Sequence, residues 1–185
     1  MIVIDVIRTV ADISALASKE LESRIKVNFF HKGHVLLKQG ETSNKIYFMP
    51  NGFAHQFKWS GDSKISNYFW TNNDFITHMD SFLSQTPCAE NIELLSDSQI
   101  FSLTYTDLQY MYEKYPEFNK FGRLMLEKYF VDIARLGALS KVKPASERYN
   151  RLVLERPELL QLASSGQIAS YLNISQETLS RIRTK

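Results

Sequence analysis

The middle of the chain leaves few choices of fold. Residues 26–105 contain six short runs rich in β-branched and aromatic side chains, at 35–37, 45–49, 54–59, 65–70, 91–95 and 99–103. Such residues suit a pleated, half-buried surface. Four of the seven glycines, Gly33, Gly40, Gly52 and Gly61, fall just before or between the runs. Glycine reaches positive φ without a steric penalty, so it marks tight turns. Many short strands at this spacing predict an antiparallel roll or barrel rather than a parallel sheet.

Helical patterns flank this region. Over residues 2–23, Ile4, Ile7, Val10 and Ala11 share a face, and Leu16 and Leu21 continue the apolar pattern after a break near Ser14. Residues 106–183 are helical in pattern. Thr106 is placed to cap a short helix over 107–114. Pro116 opens a long helix to about Lys143, where Pro144 stops it. Within that helix Leu126, Tyr129, Ile133 and Leu136 recur at alternating three- and four-residue steps. This narrow seam suits a second helix; it serves either to pair two copies of the chain or to pack on the chain's own β-roll. The expected fold is thus α+β: an antiparallel β-roll with flanking helices, a long helix and an all-α C-terminal segment.

Composition removes several classes of function. The chain has 185 residues, 44% of them hydrophobic and 23% charged, enough for a real core in an ordinary soluble protein. Its one cysteine, Cys88, cannot supply a disulfide framework, a Cys-rich zinc site or a Cys-ligated iron–sulfur cluster. No basic group neighbours it in sequence, so it reads as an inert thiol. His31 and His34 would face opposite sides of an extended segment, so no metal site is expected. No segment approaches the ~20 apolar residues of a membrane span. The apolar start is interrupted by Asp5, Arg8 and Asp12, unlike a secretory signal. A cytoplasmic location is expected. Trp59, Phe69 and Trp70 read as core aromatics. Glycine-rich phosphate loops, nucleophile elbows and zinc-protease motifs do not occur, so the chain is not expected to be an enzyme. The net charge is only +2, but from Lys141 onward eight basic residues face four acidic ones. A basic C-terminal piece on a mildly acidic body hints at phosphate contact.

The most informative stretch is 166–183. Ile168 and Leu172 share a face of a first helix, and Ala169 is small where two helices would approach. Asn173 tolerates the left-handed conformation that ends helices. Ser175 can cap a second helix by accepting from its free N–H groups. Leu179 and Ile182 then point inward and Ile174 fills the corner. Gln176, Glu177, Ser180, Arg181 and Thr184 are left outward. A helix with an apolar back and a Gln/Glu/Arg front suits major-groove reading: Arg forks onto guanine, Gln pairs with adenine and Glu accepts from cytosine. Arg183 and Lys185 lie farther along, placed for phosphate.

The stretch Ser175-Gln-Glu-Thr-Leu-Ser-Arg-Ile182 resembles the recognition helix of the Crp/Fnr family of bacterial regulators, commonly Ser-Arg-Glu-Thr-Val-x-Arg-Ile. Lys38-Gln39-Gly40-Glu41, Ile46-Tyr47-Phe48 and Asn51-Gly52 resemble that family's glycine-punctuated β-roll. The segment from Phe75 and Ile76 through Thr77, His78, Met79, Asp80 and Ser81 to Phe82 resembles the start of its phosphate-binding cassette. Tyr115-Pro116-Glu117 resembles the entry to its dimerisation helix. The resemblance implies three domains: a sensor over 1–115, a dimerisation helix over 116–143 and a helix-turn-helix over 144–185. It implies a homodimer that binds double-stranded DNA, with Gln176, Glu177, Ser180, Arg181, Arg183 and Lys185 at the DNA. RNA polymerase is a further candidate partner.

The cassette departs from the family pattern where the nucleotide is held. Thr77-His78 stands where cyclic-AMP binders have Gly-Glu, Cys88-Ala89 where they have Arg-Ser, and Ile133-Ala134 where a Thr/Ser pair reaches the purine. Without the guanidinium a cyclic phosphate loses its bidentate, charge-assisted partner. The expected effector is therefore not cyclic AMP; either an unknown small molecule acts there or the roll is a scaffold. The expected winged hairpin does not follow Lys185, which resembles a shortened, wingless subgroup. A competing expectation is a ligand-sensing or protein-interaction module on the same fold that does not bind DNA.

Overall fold

The computed structural model describes residues 2–184. Two helices, α1 (Ile2–Arg8) and α2 (Ala15–Arg24), precede strands β1 (Lys26–Phe30), β2 (Val35–Leu37), β3 (Lys45–Met49), β4 (Ala54–Ser60), β5 (Ser63–Trp70) and β6 (Asp74–Ile76). Helix α3 (Met79–Ser84) leads to β7 (Asn91–Leu94) and β8 (Ser98–Thr104). Helices α4 (Tyr105–Lys114), α5 (Phe118–Lys141), α6 (Ala145–Glu155), α7 (Leu159–Leu162), α8 (Ser165–Tyr171) and α9 (Gln176–Arg183) complete the described chain. The architecture is α+β. Two strands, β1 and β6, were not among the six apolar runs. β1 is largely exposed along its length and β6 has only three residues, so neither carries a strong pattern.

The strands form two four-stranded sheets, ordered β1-β8-β3-β6 and β2-β7-β4-β5. In the first, Lys26 of β1 and Tyr47 of β3 both sit opposite Ser102 of β8, and Phe48 sits opposite Phe101. The partners run antiparallel, as the short glycine-separated strands predict. Gly33, Gly40, Gly52 and Gly61 all have positive φ.

Two compact units divide the chain. One holds residues up to Gln56 with Phe69–Glu127; the other holds Phe57–Tyr68 with residues from Lys128 on. The division falls inside α5. No proline or helix break marks that point, because α5 is one uninterrupted helix of 24 residues.

The first unit has a continuous core where helices cover a sheet face. Ile4, Ile7, Ala11, Leu21, Phe48, Phe101, Leu108, Met111, Phe118 and Phe121 belong to one buried cluster. Val10 and Leu16 do not join it and are 40% and 73% exposed. The reason is that α1 stops at Arg8, which takes Val10 off the helical face, and α2 turns Leu16 outward. Ser14 causes the break: it has extended backbone angles, accepts the amide of Ala17 as the cap of α2, and donates its hydroxyl to Glu117 at 2.9 Å. The cap of α4 is Thr104, not Thr106. Thr104 still has the extended geometry of the preceding strand, and its hydroxyl accepts the amide of Asp107, so the helix starts two residues early. Pro116 lies in the turn before α5, which begins at Phe118 and ends before Pro144. Phe69 and Trp70 are buried, whereas Trp59 is 52% exposed at the β4–β5 hairpin.

Among the described residues no helix is long and apolar enough to cross a membrane.

Candidate functional site

In the second unit, α6, α8 and α9 surround a small core. Leu152, Leu159, Ile168, Ala169, Leu172 and Leu179 are each at most 2% exposed. Local sequence sets the two short helices. Ser164 caps α8 through a reciprocal box: its hydroxyl accepts the amide of Gln167, while its own amide donates to the Gln167 carboxamide at 2.8 Å. Asn173 takes φ 53° just after α8, and Ile174 N–H donates back to Ala169 O at 2.9 Å. That left-handed residue turns the chain into Ser175, whose hydroxyl accepts the amide of Thr178 and caps α9. Helix, turn and helix fall as the sequence predicts.

The outward face of α9 carries Gln176, Glu177, Ser180 and Arg181, all exposed. Arg181 and Glu177 are one turn apart, 3.9 Å between guanidinium and carboxylate, with 76% and 87% of their side chains exposed. Such an exposed pair is weak and easily exchanged for another partner. Gln176 leans over Gly166: a Cβ placed there would meet its Nε2 at 3.0 Å. Arg183 turns back instead. It donates to Ser165 Oγ at 3.0 Å and lies over the Tyr149 ring, so part of its role is to tie α9 to α8 and α6. Lys185 lies outside the described residues.

Arg148 on α6 carries no sequence motif, yet it ties the unit together. Its Nε donates to Leu172 O at 2.9 Å, at the end of α8, and its Nη1 donates to Val142 O at 2.7 Å, just past α5. The third guanidinium nitrogen, Nη2, reaches Asn173 O at 3.5 Å. Helix C-termini leave carbonyls without intrahelical partners, and a cation there also suits the dipole. Nothing in the sequence links residue 148 to residue 172; only the fold brings them together. Ser170 on α8 was equally invisible. Its hydroxyl accepts the N–H of Ser66 on β5 at 3.1 Å and contacts the Ser66 carbonyl at 3.3 Å. Two residues along β5, the Tyr68 hydroxyl donates to Asp132 Oδ2 on α5 at 3.3 Å.

The predicted seam on α5 is split. Tyr129 lies against the Tyr68 ring, with centroids 6.5 Å apart, and Leu136 lines a cleft of about 430 Å³ with Tyr68, Asp132 and Tyr171. Burial raises the pKa of the Tyr171 phenol, which stays protonated at neutral pH. Leu126 and Ile133 face outward instead, 42% and 41% exposed, beside Phe130 at 74%. The outward apolar face is therefore Leu126, Phe130, Ile133 and Gly137, one helical step round from the expected line.

In the first unit the cassette segment is folded and polar. Phe75 belongs to the helix-side core, packing against Phe48 and Phe121 with centroids 5.0 and 5.2 Å apart. Ile76 is fully buried; Met79 is half-buried and Asp80 exposed. Thr77 bonds to Ser43 at 3.0 Å and donates to Lys45 O. His78 caps α3 with Nδ1, and its Nε2 lies 3.5 Å from Glu90 Oε2, which also accepts from Gln56. His55 Nε2 lies 3.2 Å from Glu93 Oε2 in the same unit, both buried. Cys88 is buried against the carbonyls of Lys38 and Glu90, and Ala89 is exposed. Ile133 and Ala134 are on α5 in the second unit, exposed. No group of three or more acidic, histidine or cysteine side chains suited to a metal occurs among the described residues.

Residues 27–115 match the family model for the cyclic nucleotide-binding domain. Most of the chain superposes on solved bacterial regulators. FixK2 from Bradyrhizobium japonicum has a TM-score of 0.73 at 18% identity, over 86% of this chain and 83% of that one. The c-di-GMP responsive global regulator CLP of Xanthomonas campestris has 0.71 at 13%, over 92% and 90%. A variant of CooA from Carboxydothermus hydrogenoformans has 0.71 at 15%, over 96% and 81%. No curated protein sequence matches. The protein has a cyclic nucleotide-binding-type β-roll. More particularly, its fold is that of the Crp/Fnr regulators.

Arg148→Ala should lower the stability of the C-terminal unit by about 1–3 kcal/mol, because it strands the carbonyls at two helix ends. Arg148→Lys should recover only part of this, since an ammonium lacks the planar fork. Thermal unfolding followed by circular dichroism measures both; an unchanged midpoint for Arg148→Ala would show that these contacts contribute little.

Proposed function

We propose that this protein is a homodimeric DNA-binding transcription regulator, with α9 reading bases and α5 pairing the two copies. The observation that carries the reading is the two-sidedness of α9. Its back is fixed by the buried Leu179, by its Ser175 cap and by Arg183, while Gln176, Glu177, Ser180 and Arg181 are presented together and exposed. A rigid backing with a polar, fork-bearing front is what direct readout requires. The resemblance to regulators of known fold supports the same assignment, and no catalytic activity is assigned.

Arg181 on this reading sets sequence choice. Operators selected from random duplexes should be inverted repeats, with half-sites about one helical turn apart. Arg181→Ala should cost about 1–3 kcal/mol on the selected site and flatten preference among half-site variants. Equal weakening on selected and scrambled duplexes would reduce Arg181 to a phosphate anchor.

The pairing surface is the outward face of α5. Leu126, Phe130 and Ile133 expose apolar area on a helix whose other side is already in use. Glu in place of Phe130 and Ile133 would bury unpaired charge at a dimer seam. The doubly substituted chain should be monomeric by light scattering while keeping its helical content; a persisting dimer would place the interface elsewhere.

The roll's effector is a molecule other than cyclic AMP. Glu90, held by His78 and Gln56, stands beside Cys88-Ala89, where a cyclic phosphate would need a guanidinium. A carboxylate there repels the anion that an arginine would bind. Calorimetric titration with cyclic AMP should give no micromolar binding, and a clear micromolar isotherm would overturn this.

A further inference from the structure

The cleft of about 430 Å³ beside α5 is lined by residues of the second unit. Leu136 and Leu139 of α5 give it apolar surface, and the rings of Tyr68 and Tyr171 add to this. The end of α6 lines it as well, through Glu155. Apolar and charged groups are thus brought together in a concavity of the size that small-molecule sites have.

Four charged side chains line the cleft: Asp132 and Arg135 of α5, Glu155, and Arg156 just after α6. Two of them are engaged. Asp132 accepts from the Tyr68 hydroxyl at 3.3 Å and lies 3.6 Å from the Lys128 ammonium, both through Oδ2. Arg156 holds Glu158 at 2.5 Å. Arg135 and Glu155 are exposed, and neither has an ion-pair partner among the described residues. Arg135 is one helical step from Asp132, but that carboxylate already serves a hydroxyl and an ammonium. The cleft therefore offers one guanidinium and one carboxylate on two different helices. An anion bound to Arg135 alone meets repulsion from Glu155 and Asp132, and a cation bound to Glu155 alone meets Arg135 and Arg156. Exposed charges are also well hydrated, so a ligand that pairs with one of them gains little. A ligand that pairs with both gains two charge-assisted hydrogen bonds and avoids either repulsion.

We infer that this cleft is a binding site, separate from the β-roll, for a small dipolar molecule: a free amino acid or short peptide with an apolar side chain. Its carboxylate binds Arg135, its ammonium binds Glu155, and its side chain lies on Leu136 and Leu139. A molecule held by both charges ties α5 to α6 within the unit that carries α9. Such binding does not depend on the DNA-binding reading above.

The test is calorimetric titration of the full chain with two probes, L-phenylalanine and the dipeptide L-leucyl-L-phenylalanine, up to millimolar concentration. At least one should bind, and which one does so separates an amino-acid site from a peptide site. N-acetylation of the binding probe removes its positive charge, and amidation of its carboxylate removes the negative one. Each modification should weaken binding about tenfold, the scale of one hydrogen bond to a charged group. Arg135→Gln should weaken the unmodified probe by a similar factor and abolish the penalty of amidation. Glu155→Gln should do the same for acetylation. Both positions are exposed, so both variants should keep the wild-type helical content by circular dichroism. The modified probes test the two charges on the wild-type chain even if a substitution disturbs folding. Failure of both probes to bind at millimolar concentration overturns the site, as does binding indifferent to the substitutions and the modifications. Sensitivity to only one of the two charges overturns the dipolar ligand. None of these outcomes bears on whether the chain binds DNA.

Discussion

A helix ends with carbonyls that it cannot bond itself, and the C-terminal unit meets this constraint with one side chain. The guanidinium of Arg148 donates to carbonyls at the ends of both α5 and α8 and reaches the turn residue Asn173. It thereby joins the long helix to the helix that positions α9. Five donors in a rigid plane allow one residue to serve several acceptors at once, which an ammonium does less well. The placement of the exposed polar face of α9 depends on this junction and on the Ser164 and Ser175 caps, because α8 and α9 are too short to persist on propensity alone.

The β-roll meets a different constraint. It keeps the shape of a cyclic nucleotide-binding domain over residues 27–115 while carrying carboxylates in its polar interior. Glu90 and Glu93 are each close to a histidine, His78 and His55 respectively. Buried carboxylates are tolerable only with partners, and these provide them. A fold can therefore be retained while the chemistry of its site changes, since the sheets depend on backbone pairing and apolar packing rather than on cassette side chains.

On α5 the same separation of shape from use appears along one helix. Leu126, Tyr129, Ile133 and Leu136 are evenly spaced, but Tyr129 and Leu136 are taken up by Tyr68 and its cleft. Phe130 then becomes the most exposed apolar side chain of the helix. A periodicity shows which residues share a stripe; it does not show which flank of that stripe another element already covers.

The sequence by itself determined most of the strands and the principal helices, with several of their ends. Strand runs, glycine turns, the Ser14 break, the Asn173 turn and the Ser175 cap follow from local rules acting over a few residues, and the structure carries them almost where the pattern places them. The outward polarity of Gln176, Glu177, Ser180 and Arg181 was legible for the same reason. Local rules erred by one or two residues where two caps competed, as at Thr104 and Thr106. Tertiary structure alone decided the contacts between distant segments: Arg148 with the end of α8, Ser66 with Ser170, Tyr68 with Asp132, and Glu90 with His78. Polar contacts of this kind join side chains to groups 12 to 104 residues away. No spacing encodes them, because the distance between such partners is set by how whole elements pack and not by the path of the chain between them.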